Sequence, residues 1–138
     1  MSYFPSTAPI PEPTIDDGEF WEYCAKHELR VQACTACGRL RFPPKPRCPE
    51  CLSEETTWER LPGTGSVYTY TVVYNVVEPG LRGIDPYNIV VVSLDGTDGL
   101  HMISNVLDIE EDALTIGMPL AVAWDTQGGF DLPRFRRA

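Results

Sequence analysis

Cys34-Thr35-Ala36-Cys37-Gly38 and Cys48-Pro49-Glu50-Cys51 decide how this chain is read. Each Cys-x-x-Cys turn can aim two thiolates at one point, and two such turns complete a tetrahedron around zinc, with each sulfur about 2.3 Å from the metal. Ten residues separate the pairs, shorter than the commonest four-cysteine template but within ribbon variation. Two disulfides are the competing reading, but no secretory leader precedes the cysteines and they are few for a secreted scaffold. A redox dithiol would follow a strand inside a βαβ pattern, and none surrounds either pair. Four thiolates leave no open coordination position, so Cys34, Cys37, Cys48 and Cys51 are expected to hold a structural zinc.

The 138 residues amount to one medium domain or two small ones. A hydrophobic fraction of 43% supports a core, while 13 prolines and 11 glycines imply short strands and many turns. A formal net charge of -9 opposes non-specific attraction to nucleic acid or anionic membrane. No signal peptide opens the chain, and no stretch reaches the roughly 18 apolar residues of a membrane span. A reducing cytoplasm is the expected location.

Outward from the cysteines, residues 1–15 hold Pro5, Pro9, Pro11 and Pro13 and are expected to form an extended arm, free or laid along a partner. Residues 16–31 read as a helix, with Phe20, Trp21, Cys24 and Glu28 near one face. Cys24 reads as a packed small hydrophobe, and His27 as an exposed helix residue. Phe20 and Trp21 could pack on their own domain or face another protein. The ribbon is expected over residues 32–60. Arg39, Arg41, Lys45 and Arg47 fall in its loops, with no acid between Glu28 and Glu50. They either offset the thiolate centre or form an anion site for a ligand's phosphates.

Residues 61–138 read as a β domain. Gly63-Thr64-Gly65 suggests a hinge, followed by strands over 66–77, 87–94, 100–107, 120–124 and 130–135. Asp108 and Glu111 suggest a capping box for a single helical turn ending at Leu114. Five short strands with one helical turn between the third and fourth match the five-stranded OB-fold barrel.

This order of parts resembles the acyl-CoA-associated family with a rubredoxin-like zinc ribbon and an OB-fold, known as domain of unknown function thirty-five. The residues that carry the resemblance are Phe20-Trp21-Glu22, the ribbon from Cys34 through Phe42-Pro43-Pro44, Arg47-Cys48-Pro49-Glu50-Cys51, Gly63 to Val67, Tyr70 to Val73, Ile116 to Leu120 and Leu132 to Phe135. The resemblance implies a mainly β protein: N-terminal helix, rubredoxin-like four-Cys zinc ribbon, then OB barrel. It also implies a small non-catalytic partner of a thiolase-superfamily enzyme, such as a thiolase, an acyltransferase or a lipid-transfer-protein-like retro-aldolase of steroid side-chain breakdown. A two-plus-two heterotetramer would follow, with Phe20 and Trp21 on the partner-facing helix.

The CoA of such a partner's substrate carries several phosphate charges, so Arg39, Arg41, Lys45 and Arg47 are candidates for holding them, with Arg82 and Arg134 as outliers. Neither His27 nor His101 stands beside a nucleophile in the sequence. The alternative is a single-stranded nucleic-acid module, since zinc ribbons and OB barrels also serve there, but the charge of -9 counts against it.

Overall fold

A computed structural model describes residues 2–138; Met1, the first residue of the expected arm, lies outside the described residues. Helix α1 covers Gly18–Ala25 and ends sooner than its sequence pattern suggests. His27 takes a left-handed φ of 58°, its N–H donates to Cys24 O at 2.8 Å, and Glu28 N–H reaches back to Tyr23 O at 3.0 Å. This pair of bonds is the Schellman closure of a helix end. The expected helix over 16–31 is thereby corrected. Leu29 and Val31 are both buried, and residues two apart cannot share one helix face. They lead instead into and along β1 (Arg30–Cys34), which lies between β2 (Leu40–Arg41) and β3 (Thr56–Arg60) in a three-stranded antiparallel sheet.

The second sheet holds β4 (Thr64–Val73), β5 (Tyr87–Leu94), β6 (His101–Ser104), β7 (Pro119–Gln127) and β8 (Phe130–Arg137), in the order β6-β5-β4-β7-β8. β4 joins both halves: Thr64 to Ser66 pair with β7, while Gly65 to Val73 pair with β5. Its bend depends on Gly65, where a Cβ would collide with Ser93 O and the Val92 side chain. A register shift between Val67 and Thr69 adds a bulge at Tyr68. A parallel bridge between Val106 and Phe135 draws the sheet's two ends together, with Phe135 N–H donating to Asn105 O at 3.0 Å. The result is the OB-fold half-barrel.

Three local expectations are corrected. Gly63 to Gly65 is no hinge: Gly63 is buried, its carbonyl accepts from Val122 N–H at 2.7 Å, and the next two residues lie in β4. β4 stops at Val73, not Val77. The turn after β6 is a 3-10 helix over Glu111–Ala113 capped at Glu110, so the Asp108 capping box does not form. Asp108 has a φ of 52° and accepts from Arg136 Nε at 2.9 Å instead.

α1 is wedged between the two sheets. Phe20, Cys24, Leu29 and Val31 share one apolar core with Val67, Val90, Val92, Leu120 and Phe135 of the barrel. Phe135 has no exposed surface, and truncating such a residue to alanine costs about 3–5 kcal/mol. Trp21 meets Phe130 of β8 edge-on, and His27 stacks on Trp124 of β7 with centroids 5.2 Å apart.

The start of the arm binds its own barrel. Tyr3 N–H donates to Asp125 Oδ2 at 3.1 Å, Asn88 N–H donates to Tyr3 Oη at 3.1 Å, and Gln127 Nε2 donates to Pro5 O at 3.0 Å. The expectation of an arm that is free or laid along a partner is corrected for this segment. The barrel's buried polar groups use it as a hydrogen-bond partner.

Candidate metal centre and cation sites

The two Cys-x-x-Cys turns fold as near repeats. Gly38 N–H donates to Cys34 O at 2.7 Å, and Leu52 N–H donates to Cys48 O at 2.9 Å. Gly38 and Leu52 hold the same place after the second cysteine and both are left-handed, with φ of 80° and 63°. Backbone N–H groups of Cys37 and Ala36 hold the Cys34 thiol below its ordinary pKa, and those of Cys51 and Glu50 bring Cys48 down to about 6. These two shifts favour the thiolates that a metal requires. Cys37 and Cys51 shift the other way: backbone N–H groups of Arg39 and Ser53 pull them down, but sharing a hydrogen bond with the thiols of Cys48 and Cys34 outweighs this and pushes Cys37 up to about 12.

Cys34 Sγ lies 3.6 Å from Cys51 Sγ, Cys37 Sγ lies 3.6 Å from Cys48 Sγ, and all four sulfurs fall within 4.8 Å of one another. A tetrahedron with 2.3 Å bonds has edges of about 3.8 Å, so the sulfurs are spaced for zinc. Cys34 and Cys48 are buried while Cys37 and Cys51 face solvent. Cys24, the fifth cysteine, sits apart in the core, and burial pushes its thiol up to about 12.

The six candidate cations do not converge. Arg41 is 4% exposed and ties the ribbon together. Its Nε donates to Gln32 Oε1 at 2.8 Å, while Nη2 donates to Thr56 Oγ1 at 2.7 Å and Lys45 O at 3.1 Å. Arg134 is also buried, donating to Asp125 and Asn105 beneath the rings of Tyr3 and Phe4. Burial counts against both as anion candidates, because a phosphate would have to displace the partners they already hold, although Arg41 Nη1 is buried without a partner among the described residues.

Arg39, Lys45 and Arg47 remain exposed on the ribbon loops. Arg39 pairs with Glu50, and Arg47 with Glu54 at 3.1 Å; exposed pairs of this kind are worth about 1 kcal/mol or less and can exchange. Arg39 borders a cleft of about 720 Å³ between the first knuckle and the turn from Gly96 to Leu100. Arg82 is exposed on a separate hollow beside Tyr3, Phe4 and Ile84.

Phe20 is corrected as an interface candidate, since it is 3% exposed and packs on Trp21 and Phe42. Trp21 is half-buried at a groove with Phe42, Pro43, Pro44, Leu132 and Pro133. His27 lies beyond the helix and pairs with Asp131 at 3.2 Å. The His101 ring packs at a tilt against Tyr68, with centroids 4.2 Å apart. No helix among the described residues is long and apolar enough to cross a membrane.

Two family models cover most of the chain. One, described as "ChsH2, rubredoxin-like zinc ribbon domain", matches residues 21–57; the other, "ChsH2, C-terminal OB-fold domain", matches residues 58–125. The chain belongs to the ChsH2 family. A solved structure described as "Ltp2-ChsH2(DUF35) aldolase" contains a chain 32% identical to this one, superposing with a TM-score of 0.82 over 93% of this chain and 98% of that one. The ChsH2 match thus agrees with the resemblance to domain of unknown function thirty-five, and the four cysteines carry the family's structural zinc site.

Two relatives are larger. The "Probable enoyl-CoA hydratase alpha subunit" of Thermomonospora curvata is 37% identical over 93% of this chain and 40% of its own length. The "3-oxo-4,17-pregnadiene-20-carboxyl-CoA hydratase alpha subunit" of Mycobacterium tuberculosis is 30% identical over 83% of this chain and 35% of its own. The chain therefore spans about two fifths or less of these relatives.

Proposed function

We propose that this protein is a non-catalytic accessory subunit of a thiolase-superfamily enzyme acting on acyl-CoA thioesters, with a thiolase or lipid-transfer-protein-like retro-aldolase as its partner. One observation carries the proposal: nearly the whole chain superposes on nearly the whole of a chain from an assembly named as an Ltp2-ChsH2 aldolase. The acyl-CoA substrate is supported by the CoA thioesters in the names of both hydratase relatives, and a steroid acyl group by the second of them.

In this role the catalytic subunit supplies the nucleophile and the acid-base groups. The zinc ribbon keeps the loops of Arg39, Lys45 and Arg47 at fixed positions, where they are available to the phosphates of CoA. Zinc supplies no chemistry beyond folding these loops. A two-plus-two heterotetramer in the cytoplasm is the proposed assembly. Nucleic acid is the weaker ligand, because β4, β5 and β6, three of the five barrel strands, contain no lysine or arginine to meet a phosphate backbone.

The test is co-expression with the thiolase-like subunit from the same source, comparing acyl-CoA turnover by each subunit alone and by the pair. The pair is expected to be active and each subunit alone inactive or unstable. Full activity of the large subunit by itself, at unchanged stability, would overturn the proposal.

A further inference from the structure

None of the strands β4, β5 and β6 carries a charged side chain, although 22% of the chain is Asp, Glu, Lys or Arg. Alternation along β5 buries Asn88, Val90, Val92 and Leu94 and turns Ile89, Val91 and Ser93 outward. Cross-strand pairing then sets Ile103 and Thr69 on either side of Val91 on that outer face. The bulge brings Tyr68 beside them, its ring tilted against that of His101. Tyr68 is 55% exposed and Ile103 72% exposed. No element among the described residues covers this face, and β6 is the end strand of its sheet. Charge depletion with aromatic enrichment marks the centre of protein interfaces rather than ordinary surface.

The surroundings of the face select its occupant. The turn joining β5 to β6 exposes Asp95 and Asp98, and the loop joining β4 to β5 exposes Glu78 and Asp85 against a single cation, Arg82. A second copy would bring the same acidic loops, and another net charge of -9, against this rim. Like charges so placed disfavour self-association, and nucleic acid or anionic lipid is repelled in the same way.

We infer that the outer face of β4, β5 and β6, centred on Tyr68, Val91, His101 and Ile103, docks the catalytic subunit through an uncharged patch bordered by lysine and arginine. The inference rests on the function proposed above and goes further by placing the contact on the barrel. It moves the interface from α1, whose Phe20 is already used inside the molecule.

Binding of the zinc-loaded 138-residue chain to the purified thiolase-like subunit from the same source, followed by calorimetry and light scattering, tests it. Ile103→Lys and Tyr68→Glu are expected to weaken binding roughly tenfold or more, with zinc content and melting temperature of the isolated chain unchanged. Ile116→Lys, on an equally exposed apolar residue outside these strands, is expected to bind as the wild type does. Raising salt should weaken the wild-type complex through its acidic rim. Wild-type binding that survives both face substitutions overturns the docking inference and leaves the accessory role standing. Absence of wild-type binding overturns the accessory role and the inference with it. An isolated chain that dimerises until Ile103→Lys is introduced assigns the face to a second copy and overturns the inference.

Discussion

Arg134 Nε donates to Asp125 Oδ2 across 3.0 Å, with the two side chains only 10% and 5% exposed. Arg134 Nη1 also donates to Asn105 Oδ1 at 2.6 Å, and Asp125 accepts from Tyr3 N–H. The pair thus joins β7, β8, the barrel's closing segment and the N-terminal arm. Breaking one side of a buried pair leaves an uncompensated charge, which costs about 3–5 kcal/mol. Arg134→Met should lower the urea midpoint by a corresponding amount. Arg134→Met combined with Asp125→Leu should recover part of that loss, because neither charge is then stranded.

Leu52 is a leucine where the first knuckle has Gly38. A branched residue in left-handed backbone costs about 1–2 kcal/mol, and Leu52 is exposed and recovers little by packing. Leu52→Gly should therefore stabilise the zinc-bound ribbon by about 1 kcal/mol, measured as tighter resistance to chelation. The gain is kept below the full strain by the extra freedom of glycine in the unfolded chain.

Acid should release the metal. Protons compete with zinc for the four thiolates of Cys34, Cys37, Cys48 and Cys51, so metal affinity falls as pH falls. A colorimetric zinc indicator should report little release at pH 8 and progressively more as the solution is acidified. The loss of metal should be accompanied by loss of the three-stranded sheet, because the loops before and after β2 are closed by the thiolates. Cys48→Ser should lower zinc affinity at every pH.

Cys24 responds in the opposite range. Its folded pKa is raised to about 12 against a reference of 9.0, so the native state keeps the proton that the unfolded chain gives up. The favourable contribution is complete below pH 9 and disappears between 9 and 12, amounting to about 4 kcal/mol at most. Wild-type stability should fall more steeply with pH in that window than stability of Cys24→Ala, measured by denaturant titration. Alkylation of Cys24 in the folded protein should be slow throughout.

Lys45 and Arg47 give a direct test of phosphate binding. In the complex with the catalytic subunit, Lys45→Glu with Arg47→Glu should raise KM for an acyl-CoA roughly tenfold or more, the value of losing a charge-assisted hydrogen bond. kcat should be unchanged. An acyl-pantetheine substrate, which lacks the phosphates, should show no such increase. Equal effects on both substrates would place these residues elsewhere in the assembly.

Much of this molecule is local and so was legible in its residues. Two Cys-x-x-Cys turns close on their own backbone, and the alternation of Tyr87 to Leu94 gives β5 its limits without help from distant contacts. The sequence also determined the order of helix, ribbon and five barrel strands. Other features could not be read from local pattern. The end of α1 depends on His27 taking left-handed backbone while stacking on Trp124 and pairing with Asp131, both about a hundred residues away. Arg41 and Arg134 look like their exposed neighbours in the sequence, and only the tertiary fold buries them, because Gln32, Thr56, Asp125 and Asn105 arrive from distant segments to accept from them, leaving one donor of Arg41, Nη1, without a partner among the described residues. The chain by itself specified a metal ribbon joined to a small barrel; which cations were free and which apolar face was left open was decided by packing, since burial belongs to the assembled surface and not to any one segment.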